Sequence, residues 1–246
     1  MSLAAAAKRI VGKTILVTGA SSGIGKSTAL EFARNAPNNL KLILTARRVE
    51  NLNELATQIK SEVGDGVKVL AVKLDISNPA EVRQFVPNLP EEFKEIDVLV
   101  NNAGLVKGVA CAPDIAEEDI NIMFQTNVTG LINMTQAILP IFKKRPDGGV
   151  GDIVNAVNLT LAGAFTVLQK LLFAVSVTVC EFSVVRFYGD KSKADAVYNG
   201  VDPLTPGDIA EVIVFAVSRR QNVVLADALI FPSHQGGAGV IYRKPT

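Results

Sequence analysis

The sequence has no tryptophan, one histidine, two cysteines and three tyrosines in 246 residues. Two cysteines, Cys111 and Cys180, make no disulfide framework and fit a reducing compartment, so a cytoplasmic location is expected. His234 and two distant cysteines supply no zinc ligand set, and no metal is expected. Charge of one sign is also lacking. Lys+Arg is 25 and Asp+Glu 24, a net charge of +1, which gives no electrostatic reason to expect nucleic acid or an acidic membrane surface as partner. No apolar run of secretory length opens the chain. Lys8 and Arg9 follow four alanines, and residues 1–12 read as a surface arm before a domain spanning 13–246. The apolar stretch 161–180 is long enough to cross a bilayer, but Gln169 and Lys170 stand at its middle, where charge is expensive. Buried core is the preferred reading. A membrane-attached form is the weaker one, and carbonate extraction separates the two.

With 48% hydrophobic and 20% charged residues, disorder, collagen and coiled coil are excluded. The length suits one large α/β domain or two small ones. Short apolar runs at 13–18, Leu40–Ala46, 67–74, 96–100, 152–157 and 223–231 read as buried strands. Between them lie helical patterns. Gly23–Asn35 is one. Leu52, Leu55, Ile59 and Val63 mark a second, and Asn78-Pro79 opens a third with Val82, Phe85 and Val86 facing inward. Residues 117–143 carry a long pattern of Ile120, Phe124, Val128, Leu131, Ile138 and Phe142. Thr205 is a good N-cap, with Pro206 behind it, for a helix that includes 209–217. Strand and helix alternate without linker or repeat, which predicts a single-domain, doubly wound parallel sheet with its ligand at the carboxyl ends of the strands.

Thr18-Gly19-Ala20-Ser21-Ser22-Gly23-Ile24-Gly25 joins the first strand to the first helix. Glycines there permit a tight turn, let the backbone approach a pyrophosphate and pack the helix onto the sheet. The helix N-terminus offers free N–H groups to phosphate. About 20 residues further on, an NAD site keeps a carboxylate for the ribose. Here Thr45 and Ala46 are followed by Arg47 and Arg48. No acid repels a 2′-phosphate and two guanidiniums can bind it, so NADP is the expected cofactor.

The spacing G-x-x-x-G-x-G behind Thr18, the segment Asn101-Asn102-Ala103-Gly104, Asp75 after the third strand and Asn127 in FQTNVTG together resemble the short-chain dehydrogenase/reductase family. The likeness runs from about residue 13 to 158 and resumes from about 181 to 244. EFSVVRF and the tail VVLADALIFPSHQ look most like its NADP-dependent 3-hydroxy acid (serine, allo-threonine) dehydrogenases. The resemblance implies a Rossmann fold and a homotetramer built partly by the long helices. It implies cofactor contacts from Gly19, Ser21, Ser22, Gly23, Ile24, Gly25, Arg47, Arg48, Asn102, Ala103 and Gly104, with Asp75 on the adenine. The implied activity is hydride transfer between NADP(H) and a small 3-hydroxy acid or hydroxy amino acid.

The family's proton chemistry uses Ser, Tyr and Lys, the last two as Tyr-x-x-x-Lys. None of Tyr188, Tyr198 and Tyr242 has a lysine four residues later. Tyr188 has Lys191 and Lys193 at i+3 and i+5, in a polar segment that reads as a solvated loop. Thr160 occupies the family's serine position and keeps a hydroxyl. Asn127 shares a helical face with Ile120, Phe124 and Leu131, so it is a polar group aimed at a core. It is either a satisfied structural amide or, as the resemblance implies, part of a water relay to the catalytic lysine. Between Gly163 and Glu181 the chain has only residues 164–180, and by resemblance roughly 25 residues are absent, about a helix and a strand.

Two accounts of this gap are open: a variant without its catalytic core, or a sequence from which a segment is missing. Losing a central helix and crossover costs far more than a stability of about 5–15 kcal/mol, which favours the second. Irregular backbone is therefore expected between 158 and 182. The intact mass separates the two accounts, at 26.1 kDa for the first and roughly 2–3 kDa more for the second. A cofactor-binding protein of the same fold without turnover is the alternative to a dehydrogenase.

Overall fold

The computed structural model describes residues 8–110, 113–146, 149–158, 172–175, 181–237 and 240–243. Seven parallel strands form the main sheet: β1 (Thr14–Thr18), β2 (Leu40–Ala46), β3 (Val67–Lys73), β4 (Val98–Asn101), β5 (Asp152–Asn158), β6 (Leu172–Val175) and β7 (Asp227–Ile230). Their order is β3-β2-β1-β4-β5-β6-β7. The chain winds outward from β1 to β3, then returns to lay β4 on the other side of β1. That reversal opens a crevice at the carboxyl ends of β1 and β4.

Side chains alternate across these strands and divide the core in two. Ile15, Val17, Leu42, Leu44, Val98 and Val100 point to one face. There they meet α1 (Gly23–Asn35), α2 (Val49–Val63) and α8 (Pro206–Val217) through Phe32, Leu55 and Ile213. Leu16, Ile43 and Leu99 point to the other face. They pack on α3 (Pro79–Phe85) and α5 (Leu131–Lys143) through Phe85, Met134 and Ile138. Burial on both faces explains why the middles of β1 (Ile15–Val17) and β2 (Leu42–Leu44) are continuously apolar rather than alternating. Each fully buried aliphatic side chain contributes about 1.5–3 kcal/mol.

Helix starts follow local chemistry. Asn78 accepts from the Ala80 N–H, with Pro79 in the first turn of α3. Thr205 and Asp208 form a reciprocal capping box at α8. The Thr205 N–H bonded to its carboxylate holds Asp208 below the usual carboxylate range. Among the described residues the remaining α-helices are α4 (Glu117–Phe124), α6 (Glu181–Arg186) and α7 (Lys191–Ala196), and β8 (Gln235–Gly237) pairs with β9 (Val240–Ile241).

Four expectations need correction. The N-terminal arm is not wholly superficial: Ile10 is fully buried in the core, and Arg9 donates to the Ser218 carbonyl at 2.9 Å. The last strand is only Asp227–Ile230, and Val223 and Val224 are exposed before it. The long helical pattern is interrupted by a π turn over Gln125–Gly130. The wider turn rotates α4 out of phase with α5, so Ile120 and Phe124 are exposed rather than on a core face with Asn127. Finally, Leu172–Val175 lies inside the segment expected to be irregular, yet it pairs in register with both β5 and β7. These residues also belong to the stretch with the length of a membrane span. As a strand paired on both sides they are not part of a continuous membrane helix. The remainder of 159–180, Thr160 included, lies outside the described residues. Among the described residues no helix is long and apolar enough to cross a membrane.

Candidate active site

The crevice is built where the turn after β1 meets the segment after β4. Gly19 has φ +66°, and a Cβ on it would lie 2.7 Å from the Ala103 Cα. A Cβ on Gly25 would lie 2.5 Å from the Asn102 Nδ2 and 2.5 Å from the Gly19 carbonyl oxygen. Gly23, which opens α1, has φ +54°. The turn is thus closed so tightly that side chains are excluded at two positions and disfavoured at the third. Ser22 is the N-cap of α1 but makes no side-chain cap bond, and no acid sits in the first turn. The helix end keeps N–H groups available for an anion.

Thr18 ties the two segments together, a role sequence reading did not assign. Its buried hydroxyl accepts from the Asn102 N–H and the Ala103 N–H, both at 3.0 Å, and donates to the Val100 carbonyl at 3.2 Å. The Asn102 amide in turn donates to the Thr18 and Gly19 carbonyls at 2.9 and 3.2 Å. Thr18→Val keeps the shape but removes the acceptor. It is expected to cost about 2–5 kcal/mol in a urea titration, because two backbone donors lose their partner, and Thr18→Ser is expected to restore most of it.

At the end of β2, Arg48 reaches back over this turn. Its guanidinium donates to the Ser21 hydroxyl at 3.1 Å and the Ser22 hydroxyl at 3.3 Å. Arg47 beside it is exposed. Asp75 follows β3 and lies on the same end of the sheet. One carboxylate oxygen accepts from the Ser77 N–H at 2.9 Å and the Ser77 hydroxyl at 2.7 Å, so the acid is held in an Asx turn.

Asn127 sits in the π turn and addresses backbone, not core. Its Oδ1 accepts from the Leu105 N–H at 2.9 Å, and its Nδ2 donates to the Leu105 carbonyl at 2.6 Å. A Cβ on Gly104 would come 3.2 Å from that Oδ1. The amide therefore clamps the loop that leaves Asn102-Ala103-Gly104. A second polar group, Asn101, is buried and donates to Asn155 at 2.9 Å and Thr135 at 3.1 Å.

None of the three tyrosines stands in a Tyr-x-x-x-Lys spacing. The Tyr188 hydroxyl bonds Asp119, which holds the phenol above its usual pKa, and Tyr198 bonds the Ser183 hydroxyl. Lys191 pairs with Asp195 and Lys193 with Asp190. The segment after Tyr188, expected to be a solvated loop, forms the short helix α7 instead, capped by Asp190 and with its lysines in exposed ion pairs.

The structure brings Gly19, Ser21, Ser22, Gly23, Ile24, Gly25, Arg48, Asn102, Ala103 and Gly104 to one crevice, with Asn127 bracing its floor. Residues 13–164 match the family model described as short chain dehydrogenase. The chain is 46% identical to the NADP-dependent 3-hydroxy acid dehydrogenase of Schizosaccharomyces pombe, covering 96% of this chain and 98% of that one. That alignment runs over 259 positions, more than the chain's 246 residues, so the relative carries residues without a counterpart here. Serine 3-dehydrogenase of Agrobacterium fabrum is 32% identical over 94% of this chain and 98% of its own. Among solved structures, the closed form of serine dehydrogenase complexed with NADP+ superposes with a TM-score of 0.78 at 30% identity, covering 94% of this chain and 99% of that one. The chain belongs to the short-chain dehydrogenase family.

Proposed function

We propose that the chain is an NADP-dependent oxidoreductase that moves a hydride between NADP(H) and a small 3-hydroxy acid or hydroxy amino acid. The observation that carries the cofactor is Arg48 poised over Ser21 and Ser22, with no carboxylate at the end of β2. The substrate class is taken from the relatives. When bound, the cofactor supplies the hydride. The residues of the crevice fit it. Gly19, Gly23 and Gly25 leave room for the pyrophosphate, the Ile24 and Gly25 turn of α1 presents N–H groups, and Arg47 and Arg48 take the 2′-phosphate. Asp75 receives the adenine, and Asn102, Ala103 and Gly104 line the inner wall.

Proton handling at the substrate oxygen falls to Thr160, at the family's serine position, and to a water relay braced by Asn127. A positioned general acid contributes about 10²–10⁴-fold, so turnover by this chain is expected to fall that far below that of the fission yeast relative. NADP+ reduction with 3-hydroxypropanoate, followed by NADPH absorbance, checks this. A rate equal to the relative's contradicts it. A homotetramer accompanies this reading, supported by the exposed apolar Ile120 and Phe124 on α4, and so does a cytoplasmic location, supported by two cysteines that make no disulfide framework.

A further inference from the structure

A cavity of about 280 Å³ opens on the loop leaving β4, three residues beyond Gly104. Val109, Ala110, Ile115 and Ala116 supply its apolar lining, and Lys107, Asp114, Asp119 and Tyr188 its polar groups. Its size suits a molecule of few atoms. Lys107 is half-buried, and its Nζ lies over the Tyr188 ring, 5.0 Å from the centroid. Among the described residues no carboxylate pairs with it. A contact with a ring face steadies an ammonium while leaving its N–H donors free for an anion.

The Tyr188 ring is exposed and held at its hydroxyl, while the two loops around it are tied to each other. The Tyr188 hydroxyl bonds Asp119. Gly108 N–H donates to the Arg186 carbonyl at 3.0 Å, and the Arg186 Nε donates back to the Gly108 carbonyl at 3.3 Å. Gly108 has φ +71°, and a Cβ on it would approach the Tyr188 hydroxyl to 3.1 Å. Only glycine lets the two loops close this far. Of the two acids, Asp119 is committed to Tyr188 and Asp114 is exposed at the rim.

We infer that Lys107 reads the carboxylate of the substrate, with Tyr188 and Asp119 as its positioning residues; this rests on the reading of the chain as a hydroxy acid dehydrogenase. A small acid placed in the cavity brings its carboxylate to Lys107 and its hydroxyl-bearing end toward Gly104. Asp114 repels a plain hydroxy acid and attracts the ammonium of a hydroxy amino acid.

The test is equilibrium binding, which needs no turnover. The NADPH-saturated chain is titrated with 3-hydroxypropanoate, its methyl ester and serine, reading nicotinamide fluorescence. Lys107→Met is expected to weaken both acids by roughly tenfold to a hundredfold, the worth of a charged hydrogen bond. The ester and NADPH dissociation constants stay unchanged, and Lys107→Arg restores the acids. Asp114→Asn is expected to tighten 3-hydroxypropanoate and weaken serine. An unaltered preference for acid over ester in Lys107→Met overturns the assignment alone. Failure of the native chain to bind NADPH overturns the assignment and the proposed function together.

Discussion

Gly23→Val is expected to abolish NADPH binding while leaving a folded chain. Gly23 stands at the first position of α1 with φ +54°. A β-branched residue is a true outlier there, and holding it costs about 1–3 kcal/mol. The chain relieves that strain by moving the turn, and the turn is where the helix N–H groups are aimed. The sheet is untouched, because β1 and α1 bury their side chains elsewhere in the core. Calorimetric titration with NADPH is expected to show affinity reduced beyond detection, with circular dichroism and the melting transition retained. Micromolar binding by the variant would mean that this loop is only a turn.

The second large effect is on the choice between cofactors. Arg48 is held by hydroxyls of the glycine turn, and Arg47 is exposed next to it. A 2′-phosphate arriving there gains charge-assisted bonds that the 2′-hydroxyl of NADH does not make. Replacing both arginines with alanine removes about 1.5–3 kcal/mol per charged hydrogen bond lost. The NADPH dissociation constant is therefore expected to rise at least tenfold, with that of NADH little changed. Equal affinity of the native chain for NADH and NADPH would refute this role of the arginines.

Composition and spacing alone made part of this molecule legible. The buried strands announce themselves because both faces of the sheet are covered. Gly19, Gly23 and Gly25 are legible because a tight turn between strand and helix needs them. Arg48 could be placed near the glycine turn by counting from Gly25, though its grip on Ser21 and Ser22 could not. The π turn was hidden, since a helical periodicity assumes an even rise, and one wide turn moved Ile120 and Phe124 out of the core. Thr18 was hidden because a strand threonine reads as filler until its hydroxyl meets two N–H groups 84 and 85 positions away. The pairing of Lys107 with Tyr188 joins two loops far apart in the chain, and only tertiary structure brings them together. Ile10 likewise belonged to a segment too short, and too close to Lys8 and Arg9, to announce a core residue.

The central claim is that this chain transfers hydride and does not merely hold a cofactor. The direct measurement is single-turnover reduction of a 3-oxo acid by NADPH deuterated at the transferred position, with product deuterium read by mass spectrometry. Deuterium in the 3-hydroxy acid product, absent with Gly23→Val, is the result expected. NADPH bound in the micromolar range with no deuterium transferred over hours would contradict the account and leave the chain a cofactor-binding protein of this fold.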